Sequence, residues 1–149
     1  MDHTSVDVTP PDDHIFRYGD LSTDPLGRGY IYAIREDHSI DIPSKVVNCV
    51  VAIPFPPRET TPDPVTSQSI LTNEEQDPSI MYSTPCVDPS GRFLCWMEWS
   101  HPNMPWNESS LYVGLLSPDG GRVVSKLKIA GWRLLLPPSP SLSTLFRRA

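Results

Sequence analysis

The sequence predicts an all-β protein assembled from antiparallel strands, and three observations carry that expectation. The chain has 18 prolines and 8 glycines in 149 residues, a combined share well above average usage. Proline removes a backbone donor and clashes inside helices, so an all-helical protein is disfavoured. Short apolar and β-branched runs alternate with turn sequences along the chain. Two of those turns, Asp88-Pro89-Ser90-Gly91 and Ser117-Pro118-Asp119-Gly120, each sit between two such runs.

Residues 1–13 are polar and proline-bearing, and read as a flexible arm. The run GYIYAI at 29–34 has strand composition with both faces apolar, as expected of a strand covered on two sides. A polar loop follows, and then VVNCVVAI at 46–53, a β-branched run of the kind enriched in strands. One loop between two strands most simply makes an antiparallel pair. Residues 54–80 carry six prolines among Thr, Ser and Glu. Too little apolar surface is present there to offset the entropy of ordering, so the segment reads as a proline-rich insert, a long loop or partly disordered.

Strand character returns at 81–99. Asp88, Pro89 and Gly91 hold the first, second and fourth places of a type I turn, which makes the flanks a hairpin. Two registers are open. If Asp88 faces Gly91, Cys86 opposes Phe93 and Cys95 opposes Thr84, so the cysteines are diagonal neighbours about 7–8 Å apart. If Gly91 forms a bulge and Asp88 faces Arg92, they point to opposite faces. Neither register favours a disulfide. A second hairpin at 110–130 turns at Ser117–Gly120, so 82–130 reads as four strands in one meander. That is the unit of a β-propeller blade, with the pair at 30–53 as the outer half of a preceding blade. The whole predicts about one and a half blades within residues 14–131.

Charge and composition exclude several functions. The formal net charge is −6, and no basic stripe exists to release counterions from a phosphate backbone, so no nucleic-acid partner is expected. No apolar run approaches the length that spans a bilayer, so no membrane partner is expected. The N-terminus lacks the basic start and apolar centre of a signal peptide, and Cys49, Cys86 and Cys95 form no CxxC pair. A reduced, cytoplasmic location is the default. His3, His14, His38 and His101 share no metal-ligand spacing, and no metal or other cofactor is expected. The carboxylates of Glu36, Asp37 and Glu98 are explained by a charged loop and a strand edge.

The stretch from Tyr82 to Leu116 resembles the propeller of prolyl-oligopeptidase-type serine peptidases, the acylaminoacyl-peptidase and dipeptidyl-aminopeptidase-like enzymes in particular. The resemblance rests on a Trp-rich strand, then Trp99-Ser100-His101-Pro102-Asn103-Met104-Pro105-Trp106, then Leu111-Tyr112-Val113. FRYGD (16–20), AIREDHS (33–39) and VVNCVVAI (46–53) match weaker segments in the right order. Two positions depart from the family pattern, which usually has Arg at Cys86 and Ser at Asp88. After Gly131 the chain turns into a Leu/Pro/Ser/Arg tail at 132–149 that does not match the family, and a truncated gene copy or misread exon boundary is the expectation that follows.

The resemblance implies that hydrolysis belongs to a separate α/β-hydrolase domain, with its serine in a G-x-S-x-G elbow. No such elbow occurs in this sequence, so the chain is expected to be non-catalytic and that domain to be its missing partner, with peptides as a further partner. The candidate substrate-gating loop is His101, Asn103, Met104 and Trp106. Its competitor is packing, in which Trp99, Met104 and Trp106 fold back over the blade; tryptophan buries so much area that packing is the first expectation. With four strands and simple hairpins, the two tight turns should share one rim with the 35–45 loop. The Trp106 loop should share the other with the proline-rich insert. A free-standing interaction module using blade edges or the proline-rich segment is the alternative.

Overall fold

The computed structural model describes residues 15–54 and 68–131. The arm at 1–13, residues 55–67 of the insert and the tail at 132–149 lie outside the described residues. The described residues form eight strands: β1 (Phe16–Thr23), β2 (Tyr30–Asp37), β3 (Val47–Pro54), β4 (Ser69–Ile70), β5 (Ile80–Val87), β6 (Phe93–Ser100), β7 (Ser110–Leu116) and β8 (Val123–Gly131). They form two four-stranded antiparallel sheets, β1-β2-β3-β4 and β5-β6-β7-β8. Each sheet is a simple meander of the kind that makes a propeller blade.

The two sheets pack face to face. Trp96 and Leu94 of β6, Tyr82 and Val87 of β5 and Leu116 of β7 meet Tyr32, Ile34, Val50 and Ala52 of the first sheet in one core. Trp96 and Tyr32 are fully buried, and the Trp96 ring stacks on Tyr112 with centroids 5.9 Å apart. On the far side of the first sheet, Ala33, Cys49, Val51 and Ile53 form a second cluster with Tyr18, Ile31 and Ile70. Apolar residues on both faces of β2 and β3 are therefore satisfied, which is why those strands read as near-continuous hydrophobic runs.

The first sheet holds more than the pair at 30–53. β1 supplies one edge, and β2 and β3 are the two central strands. The other edge comes from within the proline-rich insert, where Ser69 and Ile70 pair with Ala52 and Val51. Leu71 and Thr72 follow it into the interior, the Thr72 hydroxyl accepts from the Val50 amide at 2.9 Å, and Asn73 donates to the Asn48 carbonyl at 2.8 Å. Residues 68–80 are thus part of the fold.

This added strand changes the rims. Every strand crossed reverses the chain, so one strand inside a presumed single loop exchanges its two ends. The two tight turns share their rim with the β1–β2 turn, with Pro54 at the end of β3 and with Ser69 at the start of β4. The 38–46 loop lies instead at the rim of the Trp106 loop, the reverse of the sequence expectation.

A buried polar tie fixes that assignment. Asp24, 8% exposed, accepts from the Leu26 and Arg28 amides and from Arg28 Nε and Nη2 at 2.7–3.2 Å. Arg28 Nη1 reaches the Pro118 carbonyl at 3.4 Å and the Tyr32 hydroxyl donates to the Gly120 carbonyl at 3.0 Å. Burial works to raise the Asp24 carboxyl, but the bonds from Arg28 and Leu26 outweigh it and hold the group below the usual carboxylate range.

The β5–β6 hairpin departs from both expected registers. The Asp88 amide donates to the Phe93 carbonyl at 2.9 Å, so the loop is four residues, with Gly91 at φ 68. Asp88 Oδ1 accepts from the Arg92 and Phe93 amides at 2.9 and 2.8 Å, which holds the wider loop open. As a result Cys86 lies directly opposite Cys95.

Candidate functional site

The Trp106 loop joins β6 to β7. It begins with a cis peptide at His101–Pro102, and the His101 amide donates to the Ser79 carbonyl at 2.7 Å. Backbone bonds from Asn103 to Ser100 and from Asn107 and Glu108 to Met104 curl it into successive turns. Asn103 Nδ2 donates to Glu108 Oε2 at 2.6 Å, bracing one end of the loop against the other. The proline at either side of Asn103-Met104 removes donors that such tight turns would leave unpaired.

The loop's side chains do not fold back. Trp106 is 76% exposed and Met104 44%, and His101 is also exposed. Packing against the blade, the first expectation for these residues, does not describe Trp106 or Met104. Trp99 does lie within β6, half-buried opposite Met81. The four residues named from the sequence therefore divide: Asn103 braces the loop, and His101, Met104 and Trp106 stand toward solvent on one rim.

A second feature was not expected. A cleft of about 450 Å³ opens where β4 and the 71–79 link stop short of covering the second sheet. Glu74, Glu75 and Asp77 line one wall, and Tyr82, Glu98 and Lys126 the other. Glu98 Oε2 is buried there without a hydrogen-bond partner. Burial, then the nearby Glu98 charge, pushes the Tyr82 hydroxyl well above its ordinary value. Burial and Glu98 act the same way on Tyr112. The segment that forms one wall follows the two-residue strand β4, which no sequence pattern announces.

The His38 loop at 38–46 has its own polar cluster. His38 Nδ1 lies 2.9 Å from Asp41 Oδ1 and Nε2 3.1 Å from Glu36 Oε2. Asp41 first, then Glu36, hold the imidazole's pKa above its usual value. Among the described residues no group of three or more His, Cys, Asp or Glu side chains is placed to hold a metal ion. Among the same residues no helix is long and apolar enough to cross a membrane.

The outward face of the second sheet completes the picture. Phe93, Cys95 and Met97 of β6 pair with Leu115, Val113 and Leu111 of β7, and Val113 in turn with Leu127 of β8. Leu111 and Leu127 are exposed and the others half-buried. An antiparallel sheet normally presents polar residues on its solvated face; this one is apolar on both.

No family model and no curated protein matches the chain. Solved structures do. Puromycin hydrolase superimposes with a TM-score of 0.61 at 24% identity over 78% of this chain, and a mutant of it in complex with PGG with a TM-score of 0.62 at the same identity and coverage. A puromycin-hydrolyzing peptidase of Mycobacterium tuberculosis gives 0.59 at 24% identity over 83%. The chain spans only 17–18% of the length of those proteins. At this identity the likeness establishes the fold, two successive antiparallel four-stranded units.

Proposed function

We propose that the chain is a non-catalytic pair of β-propeller blades of a prolyl-oligopeptidase-type serine peptidase, whose place in the parent is to gate peptide access to an α/β-hydrolase active site. The observation that supports the reading is the apolar outward face of the second sheet, on which, among the described residues, Leu111 and Leu127 are exposed. A finished two-layer domain has no use for Leu111 and Leu127, flanked by Met97, Val113 and Leu115, on its outside, whereas a blade must pack on a further blade. The structural likeness to puromycin hydrolase and the Trp99–Trp106 motif agree with it.

On this reading His101, Met104 and Trp106 stand on the rim that peptides meet. The test is a chimera in which residues 15–131 replace the matching segment of puromycin hydrolase. It is expected to hydrolyse a short aminoacyl amide and still discriminate against a long peptide. A folded chimera that cleaves both equally sinks the gating role. The chain alone is expected to show no turnover of either substrate.

One observation favours a second reading, a free-standing interaction module. Among the described residues the edge strand β8 pairs with β7 alone and exposes Val124 and Ile129, and an edge of this kind accepts a strand from another protein. A soluble, monomeric chain with a cooperative melt supports the module. Recovery only as aggregate supports blades that need their neighbours.

A further inference from the structure

The chain's two accessible thiols meet across one hairpin. Along β5 and β6 the pairing runs Ile80↔Ser100 to Ser83↔Met97, then slips by one residue to resume at Cys86↔Cys95. The slip occurs at Thr84 and Pro85, where Thr84 adopts φ 55 and its amide donates to Asp20 Oδ2 at 2.9 Å. A pairing one residue off would put Cys86 opposite Leu94 and the two sulfurs on opposite faces of the sheet; the register set on the turn side of the slip, with Asp88 facing Phe93 and Val87 facing Leu94, prevents this. In that register they share the outward face, opposite the core side chains Leu94 and Trp96. Directly opposed residues of an antiparallel pair have Cα atoms about 4.5–5.5 Å apart, inside the roughly 4.4–6.8 Å range that disulfides span.

We propose that Cys86 and Cys95 form a modification site, a cross-strand dithiol that exchanges with a small-molecule disulfide and closes into an intrachain disulfide. Cys86 is exposed and Cys95 half-buried, which assigns their order. The Cys86 thiolate attacks one sulfur of the small disulfide RSSR. The product is the mixed disulfide Cys86–S–S–R, and the released thiolate takes up the proton Cys86 gave away. The Cys95 sulfur then attacks Cys86 Sγ and expels the second RS⁻, which accepts the Cys95 proton. Two electrons leave the protein and RSSR becomes two RSH.

Cys95 suits the second role. Burial, then the neighbouring Cys86 sulfur, raises its thiol pKa and keeps it from reacting first. Cys49 takes no part: it is buried on the first sheet, with Ala33, Val51 and Ile53 around it.

The test uses the full 149-residue chain with glutathione disulfide, trapped with iodoacetamide and read by intact mass and peptide mapping. In native buffer Cys49 should be alkylated at least about tenfold more slowly than Cys86, which reports that the sheets are formed. The wild type is expected to lose the mass of two hydrogen atoms and yield a Cys86–Cys95 cross-linked peptide, with little mixed disulfide. Cys95→Ser should stop at a glutathione adduct on Cys86, and Cys86→Ser should react far more slowly at Cys95. A persistent adduct on the wild type, a cross-link that includes Cys49, or closure that is no slower after denaturation would each overturn the proposal.

Discussion

Asp24 shows how one residue joins two sheets. Its carboxylate accepts four hydrogen bonds, and Arg28, so held, reaches the Ser117–Gly120 turn. Asp24→Asn leaves Arg28 partly buried without its counter-charge and should cost about 3 kcal/mol in denaturant unfolding. Because the folded-state pKa is depressed, the Asp24 contribution is complete above the unfolded carboxylate value and is lost as pH falls through the folded one. His38 has the opposite sign. Its raised folded pKa means that its contribution is complete below the unfolded value of about 6.5 and disappears as pH climbs through the folded value. An NMR titration of its ring should place that midpoint above the ordinary value. The tryptophans separate cleanly. Trp96→Ala should cost about 3–5 kcal/mol, as for a large core truncation, whereas Trp106→Ala should shift stability by less than about 0.5 kcal/mol. Sequence placed both tryptophans correctly along the chain. It could not tell them apart, because burial depends on the layer that arrives from elsewhere.

At the scale of elements, legibility followed composition. β2 and β3 declared themselves through β-branched and aromatic runs, and the hairpins of the second sheet through their Pro-Gly turns. β1 reads FRYGDLST, with no buried residue and Gly19, Asp20 and Leu21 exposed in succession; as an edge strand it needs no apolar run, and its sequence carries only a weak family segment. β4 is two residues long, below any periodicity. The hairpin register turned on the Asp88 carboxylate, which caps the Arg92 and Phe93 amides and widens the loop to four residues. The type I signature said where the chain turns and left open how wide the turn is. Gly91 is the residue this loop cannot replace. At φ 68, with Leu26 carbons 2.5 Å from where a Cβ would stand, Gly91→Ala should cost about 1–3 kcal/mol, measured by thermal unfolding.

For the molecule as a whole, the deciding fact is a sheet with two apolar faces. One is buried against the first sheet, and the other offers Leu111 and Leu127 to water. Leu111→Lys combined with Leu127→Lys should raise the soluble, monomeric fraction in size-exclusion chromatography with light scattering. No such gain would mean that this face is not the adhesive one. Half-buried alternation on β6 and β7 was visible in the sequence, but which face is left uncovered depends on how many strands the first sheet contributes and where they end.

The chain leaves the first sheet at Pro54 and rejoins it at Ser69 on the same rim, at the opposite strand ends from Trp106. A fluorophore or affinity peptide spliced between those two points would hang clear of the tryptophan loop. That makes the junction a practical handle for immobilising the protein while leaving its other end open to whatever it meets.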